Sequence, residues 1–238
     1  MWLAMDTATD RASVAVGQLG SPPLEEEITG ARRHASALLP TIQALLARGG
    51  ITLDQLEAIV LSDGPGSFTG LRVGASVAKA LVHARGLRLW VAPSLMVRAA
   101  GLPSGTGVIL SVANALRGEI YAAAYRFSPS GIETVLSPSV HRPDELMASG
   151  LRPDYVIGEA PADILARLEA WIGRPGITGA DGSSRAARLL ELVGRQGGAE
   201  QVEDPRGWEP RYGRPAEAQA RWESTHGRPL PDSVGSSR

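Results

Sequence analysis

Two short stretches carry residue types that could do phosphate chemistry. Asp6-Thr7-Ala8-Thr9 closes the first apolar run, and an acid at a strand end can organise Mg²⁺ and phosphate. The same acid can instead bond the turn hydroxyls of Thr7 and Thr9 as an Asx-type turn, the reading favoured where no lysine lies near. The second stretch is Gly64-Pro65-Gly66-Ser67-Phe68-Thr69-Gly70. A glycine-rich turn that opens a helix can cradle phosphate on its free N–H groups. Here no Gly-Lys-Ser/Thr follows, Thr69 stands where the dinucleotide pattern needs its third glycine, and no Asp or Glu occurs between Gly64 and Gly118. A strand-to-helix turn that needs glycine for its backbone is the better account. Asp6, Thr7, Gly64 and Gly66 then make at most a vestigial nucleotide site.

Other chemistries find less support. His34, His83, His141 and His226 are the only histidines, and no two are spaced as a metal-ligand pair. A nucleophile elbow needs serine in the middle of its Gly-x-x-x-Gly frame, and Phe68 holds that place. The absence of cysteine excludes disulfides, thiolate zinc sites and a thiol nucleophile.

The elements that must position these residues follow from periodicity and turn signals. Trp2 to Thr7 and Ala12 to Val16 read as an antiparallel hairpin turning at Asp10-Arg11. Leu24 to Ile28, preceded by Pro22-Pro23 and carrying three glutamates, suits an edge strand. Ala35 to Arg48 has Leu38, Ile42, Leu45 and Leu46 at helical spacing and stops at Gly49-Gly50. Pro40 either sits near the start of that helix or kinks it. Leu53 to Leu56 is a helical turn, and Ile59-Val60-Leu61 is a strand buried on both faces. A helix from about Gly70 to Ala84, capped by Ser67 or Thr69, leads to a strand at Leu87 to Val91. Gly70, Gly74 and Ala78 form a bare stripe on that helix, which reads as a contact surface, while Val77 and Leu81 can face the sheet.

Ala99 to Gly107 is the best linker, and a second αβ pattern follows. It comprises strands at Val108 to Val112, Ile120 to Arg126, Glu133 to Leu136 and Tyr155 to Ile157. Helices are expected at Pro143 to Ala148, Ala162 to Trp171 and Ser184 to Gly194. The stretch from Asp204 is rich in Pro, Gly and Arg, with a helix around Ala216 to Glu223 carrying Trp222 and a frayed end from Asp232. Three strands, helix, strand, helix, strand is the order of a ribonuclease-H-like domain.

The 238 residues are 43% hydrophobic and 21% charged, with a net charge of −1, so the chain has no global field for nucleic acid. The apolar start is too short for a signal peptide, and no run approaches the ~18 residues of a membrane span, which fits a cytoplasmic protein. Between Gly64 and Gly118 the only ionised side chains are Arg72, Lys79, Arg85, Arg88, Arg98 and Arg117. Direct nucleic-acid binding through those arginines would rest on that local bias alone.

Taken together, several motifs resemble the bacterial TsaB (YeaZ) family. They are Asp6-Thr7-Ala8-Thr9, Arg33-His34-Ala35 with Leu39-Pro40, GPGSFTGLRVG from Gly64 to Gly74, Gly118-Glu119-Ile120-Tyr121, and Glu209-Pro210 with Tyr212 and Arg214. The glycine-loop motif is the specific one; the others support it. The resemblance implies an α/β, actin-like fold of two ribonuclease-H-like domains, mixed sheets flanked by helices. The first would span 1–100, with 208–238 packing back on it, and a degenerate second would span 101–207.

The resemblance further implies a non-catalytic subunit in the making of threonylcarbamoyladenosine on tRNAs that read codons beginning with A. Its partners would be the catalytic paralogue TsaD, the ATPase TsaE through the complex, and a second copy of itself. tRNA would be reached only indirectly, and ATP and metal would sit on the partner subunits. The partner interface would lie on the two N-terminal helices, at Leu38, Leu39, Ile42, Gly70, Leu71, Gly74, Ala75 and Ala78. The His-x-x-x-His metal pair of the catalytic paralogue falls on about Ser94 and Arg98, which cannot replace two imidazoles. One departure is Asn114-Ala115-Leu116, where the family usually has Asp-Ala-Arg, so any charge pairing there is lost or moved to Arg117. The alternative is an independent actin-like ATPase or kinase that uses Asp6 and the Gly64 to Gly70 loop.

Overall fold

A computed structural model describes residues 1–30 and 34–213. Arg33, Arg214, His226 and the expected 216–223 helix lie outside the described residues, as does the rest of 214–238. Six strands form the first sheet: β1 (Trp2–Asp6), β2 (Arg11–Gly17), β3 (Leu24–Thr29), β4 (Ala58–Ser62), β5 (Arg88–Ala92) and β10 (Glu200–Gln201), in the order β10-β5-β4-β1-β2-β3. Every residue of β1 and β4 is buried, as parallel strands covered on both faces require. β3 is the exposed edge, and Arg11 and Arg48 offset the charge of Glu27 and Glu26 there.

The second sheet repeats the plan. β6 (Val108–Asn114), β7 (Ile120–Ser128), β8 (Gly131–His141) and β9 (Tyr155–Gly158) lie in the order β8-β7-β6-β9, with β6 and β9 parallel and the hairpin pairs antiparallel. In each sheet the first three strands form a meander and the fourth joins the first, which is the ribonuclease-H-like arrangement read from the element order.

Helices complete five layers. α1 (His34–Arg48), which runs through Pro40, and α2 (Phe68–Arg85) cover the outer face of the first sheet. α4 (Pro143–Ala148) and α5 (Ala162–Ile172) cover the outer face of the second. Between the sheets lie α3 (Ser94–Ala99) and α6 (Ala186–Leu192), packed into one shared core. α3 is buried at every position, so it shows no amphipathic period, and periodicity gives no expectation of a helix there. α6 is anchored on the first sheet: Ala186 N–H donates to Ser13 Oγ (2.8 Å) and Ala187 N–H to Glu25 Oε1 (2.9 Å). β10 is two exposed polar residues, too short for a sequence signal.

The bare stripe on α2 faces inward, which corrects its reading as a contact surface. A Cβ on Gly70 would overlap the Thr7 carbonyl oxygen, and one on Gly74 would strike Thr7 Oγ1 and Leu61. Ala78, Leu71, Ala75, Leu38 and Ile42 are likewise buried within the monomer. The physical reason is close approach: small residues let α2 lie against the turn after β1 and against β4. Of the eight expected interface residues only Leu39 stands out in solvent, 48% exposed.

Candidate functional site

The carboxylate of Asp6 is fully buried and fully engaged. Oδ1 accepts from Ala8 N–H (3.0 Å) and from Ser62 Oγ (2.9 Å), and Oδ2 accepts from Ser184 Oγ. The turn is therefore closed by Asp6 onto a backbone N–H and two serines, not onto the hydroxyls of Thr7 and Thr9. Thr9 Oγ donates to Arg11 O (3.0 Å), while Thr7 Oγ1 is buried without a partner. Ser184, from the segment before α6, is the group that sequence reading missed, since nothing local marks a partner so far along the chain.

The glycine loop is likewise filled by the protein's own backbone. Ser67 N–H donates to Ala8 O (2.7 Å), and Gly66 lies so close to that carbonyl that any Cβ would overlap it. Ser67 caps α2, its Oγ accepting from Gly70 N–H at 3.2 Å. The structure thus brings Asp6, Thr7 and Gly66 to one turn, where Ala8, Ser62 and Ser184 take up the Asp6 carboxylate and Gly66 packs on the Ala8 carbonyl. Gly64 faces elsewhere, with Arg211 O packed on its Cα.

Ser94 and Arg98, at the positions of the paralogue's metal pair, have structural tasks. Ser94 Oγ accepts from Gly64 N–H (3.0 Å), and Ser94 N–H donates to Gly64 O (2.9 Å). The buried Arg98 guanidinium donates to Val112 O, tying α3 to the second sheet. Burial holds its pKa below the ordinary value, and the charges of Glu159 and Asp6 act in the opposite direction. Among the described residues no three His, Cys, Asp or Glu side chains converge as a metal site. Arg117 makes no ion pair among them, while Arg85 pairs with Asp54 and Arg72 stacks on Phe68.

Asp63, one residue before the glycine loop, is the unusual acid. It is buried, its N–H donates to Ala92 O (3.0 Å), and its carbonyl accepts from Arg211 N–H (2.7 Å). Oδ2 lies 3.3 Å from Arg211 Nε, whereas Oδ1 has no partner. Burial pushes its pKa up to about 6, against the pull of Arg211. Tyr125 Oη is also buried without a partner, and burial and the Asp63 charge push its ionisation well up. Both residues line a cleft of about 680 Å³ between the sheets, together with Tyr121, Ser139, Glu200 and Arg211. Sequence reading singled out neither: Asp63 stands one residue before the glycine loop, a signal that could have marked it, whereas Tyr125 lies within an apolar strand.

Residues 202–213 form a strap across the first half. Val202 N–H donates to Leu89 O (2.9 Å), Glu209 pairs with Lys79 (2.9 Å), and Tyr212 packs on Phe68 with ring centroids 4.7 Å apart. The outward face left on the two outer helices carries Leu39 of α1 and the half-buried Val73, Val77 and Leu81 of α2.

Ser139 Oγ and His141 Nε2 are 2.7 Å apart on β8. Glu145 acts on His141 through its charge, and no carboxylate hydrogen bond orients the imidazole among the described residues, as a triad needs.

Two ribonuclease-H-like sheets around a shared helical layer define an actin-like α/β protein. Residues 27–165 match the family model described as TsaD: tRNA N6-adenosine threonylcarbamoyltransferase. The chain belongs to the family that this model describes, and the similar relatives and solved structures carry the names TsaB and YeaZ. It is 34% identical over 146 residues to the tRNA threonylcarbamoyladenosine biosynthesis protein TsaB of Escherichia coli, covering 58% of this chain but only 63% of that relative. It is 28% identical to the protein of that name from Bacillus subtilis, covering 92% of this chain and 96% of the relative. A solved Pseudomonas aeruginosa structure described as similar to peptidase YeaZ superimposes with a TM-score of 0.73 at 26% identity, covering 90% of this chain and 99% of the other.

Proposed function

We propose that this chain is a non-catalytic dimerisation and activating subunit of the assembly that makes threonylcarbamoyladenosine in tRNA. The transfer is to the adenosine next to the anticodon of tRNAs reading codons that start with A. The observation that carries this reading is the internal use of the chemical groups. The Asp6 carboxylate accepts three internal bonds, the N–H groups of Gly64, Ser67 and Gly70 donate to Ser94 Oγ, Ala8 O and Ser67 Oγ, and the Ala8 and Arg211 carbonyls close on Gly66 and Gly64. A phosphate with its Mg²⁺ would have to displace those contacts. A surface for a protein partner remains, on the outward face of α1 and α2 around Leu39, Val73, Val77 and Leu81.

The partner on that face is the TsaD-type paralogue, or a second copy of this chain when the paralogue is absent. The ATPase TsaE joins through the complex, ATP and metal belong to the partners, tRNA is reached through them, and the site of action is the cytoplasm. Among the described residues no helix is long and apolar enough to cross a membrane.

Leu39→Arg tests this reading at low risk to the fold, because the side chain is half in solvent. Expected is loss of co-purification with the paralogue and of tRNA modification by the mixture, at an unchanged melting temperature. Unchanged capture of the paralogue would refute the interface, and tRNA modification by this chain alone would refute the non-catalytic role.

A further inference from the structure

Phe68 and Arg72 belong to the glycine-loop motif, yet the reading above gives neither a task. They stand one helical turn apart at the start of α2, where i and i+4 side chains meet. The Arg72 guanidinium lies 4.6 Å from the centroid of the Phe68 ring and 6.0 Å from that of Tyr212, and the two rings pack on each other. Aromatic faces hold a cation in place and leave its N–H donors free. Arg72 is exposed, and among the described residues it makes no ion pair and no hydrogen bond.

The other Lys and Arg side chains of the two outer helices are matched from within. Arg48 pairs with Glu26, Lys79 with Glu209 and Arg85 with Asp54. Neither α1 nor α2 contains an Asp or Glu. Arg72 borders a depression of about 270 Å³ completed by Ala75, Ser76, Lys79, Glu209 and Tyr212. Glu209 is not free to serve Arg72 there, because its Oε1 accepts from Lys79 Nζ (2.9 Å) and its Oε2 from the Tyr212 hydroxyl (3.3 Å).

This depression adjoins the outward apolar face. Arg72 and Ser76 stand about 100° round α2 from Val73 and Val77, and the exposed Thr69 and Ala80 lie between the two pairs. A partner that covers Val73 and Val77 therefore comes over Arg72 as well and takes water from its N–H groups. A guanidinium desolvated without an acceptor is strongly unfavourable, so the partner has to bring one. A second copy of this chain brings none on these helices, and its bordering Glu26, Asp54 and Glu209 are already paired. A nucleic-acid phosphate fits less well, because Glu209 stands in the same depression.

We propose that Arg72, held by Phe68 and Tyr212, is the polar anchor of the interface and takes an Asp or Glu carboxylate from an acidic patch of a different protein subunit. The planar fork of the guanidinium suits a carboxylate held by two hydrogen bonds. This face then selects a foreign subunit over a second copy, through a charge that the copy cannot answer. The strap takes part through Tyr212. The proposal rests on the reading that α1 and α2 carry the interface.

The test measures affinity for the purified TsaD-type paralogue at about 50 and about 300 mM salt. It compares the wild-type chain with Arg72→Gln, Arg72→Lys and Leu39→Arg, and follows self-association of each by sedimentation. Arg72→Gln should weaken paralogue binding about thirtyfold or more and flatten its dependence on salt. Arg72→Lys should recover only part of the loss, because an ammonium keeps the charge without the fork. Self-association of both Arg72 variants should stay within about twofold of wild type, and their melting temperatures should fall by no more than about 4 °C, since only an exposed stacking contact is lost.

Paralogue binding by Arg72→Gln within about threefold of wild type would overturn the proposal, as would full recovery in Arg72→Lys. Self-association that weakens as much as paralogue binding would make a second copy the occupant, and tRNA binding by the isolated chain that is lost in Arg72→Gln would make this a phosphate site; either result refutes the proposal. Capture lost in Leu39→Arg but kept in Arg72→Gln sinks the anchor and leaves the interface reading standing. A wild-type chain that does not bind the paralogue sinks both.

Discussion

Replacing Asp63 with asparagine should stabilise the protein, and should do so only above acidic pH. The folded pKa of Asp63 lies at about 6 against an ordinary 3.8, a gap worth about 3 kcal/mol at about 1.36 kcal/mol per pH unit. Below about pH 4 the carboxyl is protonated in both folded and unfolded chains, and it contributes no penalty. Between about 4 and 6 the unfolded chain releases the proton while the folded chain keeps it, so stability falls as pH rises; above about 6 the full penalty stands. Asparagine has the same shape and cannot ionise. The variant gives up the ion pair with Arg211, whose side chain is 67% exposed, but the folded pKa is already net of that attraction. The gain at pH 7.5 is therefore about 3 kcal/mol, or roughly 6–12 °C in melting temperature for a chain of this size. Urea or thermal melts of both proteins at several pH values from 4 to 8 measure it. Parallel stability profiles across that range, or a variant less stable at pH 7.5, would refute the assignment of a strained buried carboxylate.

Three further outcomes follow from the geometry. Gly74→Trp should unfold or strongly destabilise the monomer, and even Gly74→Ala should cost about 1–3 kcal/mol in urea melts, because a Cβ there meets Thr7 Oγ1 and Leu61. A Gly74→Trp protein that is folded and merely loses its partner would restore the contact-surface reading of the stripe. Ser184→Ala should cost about 1–3 kcal/mol, since it strips a donor from a buried carboxylate that joins the two halves; wild-type stability would show that Oδ2 finds another donor. Calorimetry of the isolated chain with ATP and Mg²⁺ should give no tight binding and no turnover, and either result in the positive would favour the ATPase reading over the subunit reading.

Much of the architecture was legible because the signals are local. The both-face burial of β4 was written in Ile59-Val60-Leu61 and the edge position of β3 in its prolines and glutamates, while for the start of α2 the sequence offered Ser67 or Thr69 as the cap and the structure uses Ser67. α4 was expected at Pro143 to Ala148 and lies there, since proline at a helix start is a strong marker. α3 and β10 were not legible: one is buried all round and the other is a two-residue addition whose partner β5 lies far back in the chain. For the site, Asp6 and the loop were visible as candidates, but their three-dimensional bonding to Ser62, Ser184 and Ser94 was not.

The α2 helix divides the two kinds of information cleanly. Spacing alone showed that Gly70, Gly74 and Ala78 share one face and that other atoms approach it closely, because the helical repeat is a property of the backbone. Whether those atoms belong to another protein or to Thr7 and Leu61 of the same chain depends on which way the helix is rolled against its sheet. That roll is set by the packing of Ala75, Ala78 and Val82 into one core with residues of β1, β4 and α1, a sum of contacts between residues distant in sequence. The sequence by itself determined the family, the repeated sheet plan and the close approach. Only the tertiary structure decided that the close approach is internal, that Asp6 is spent on holding the halves together, and that Asp63 and Tyr125 are each buried with one oxygen left unpaired.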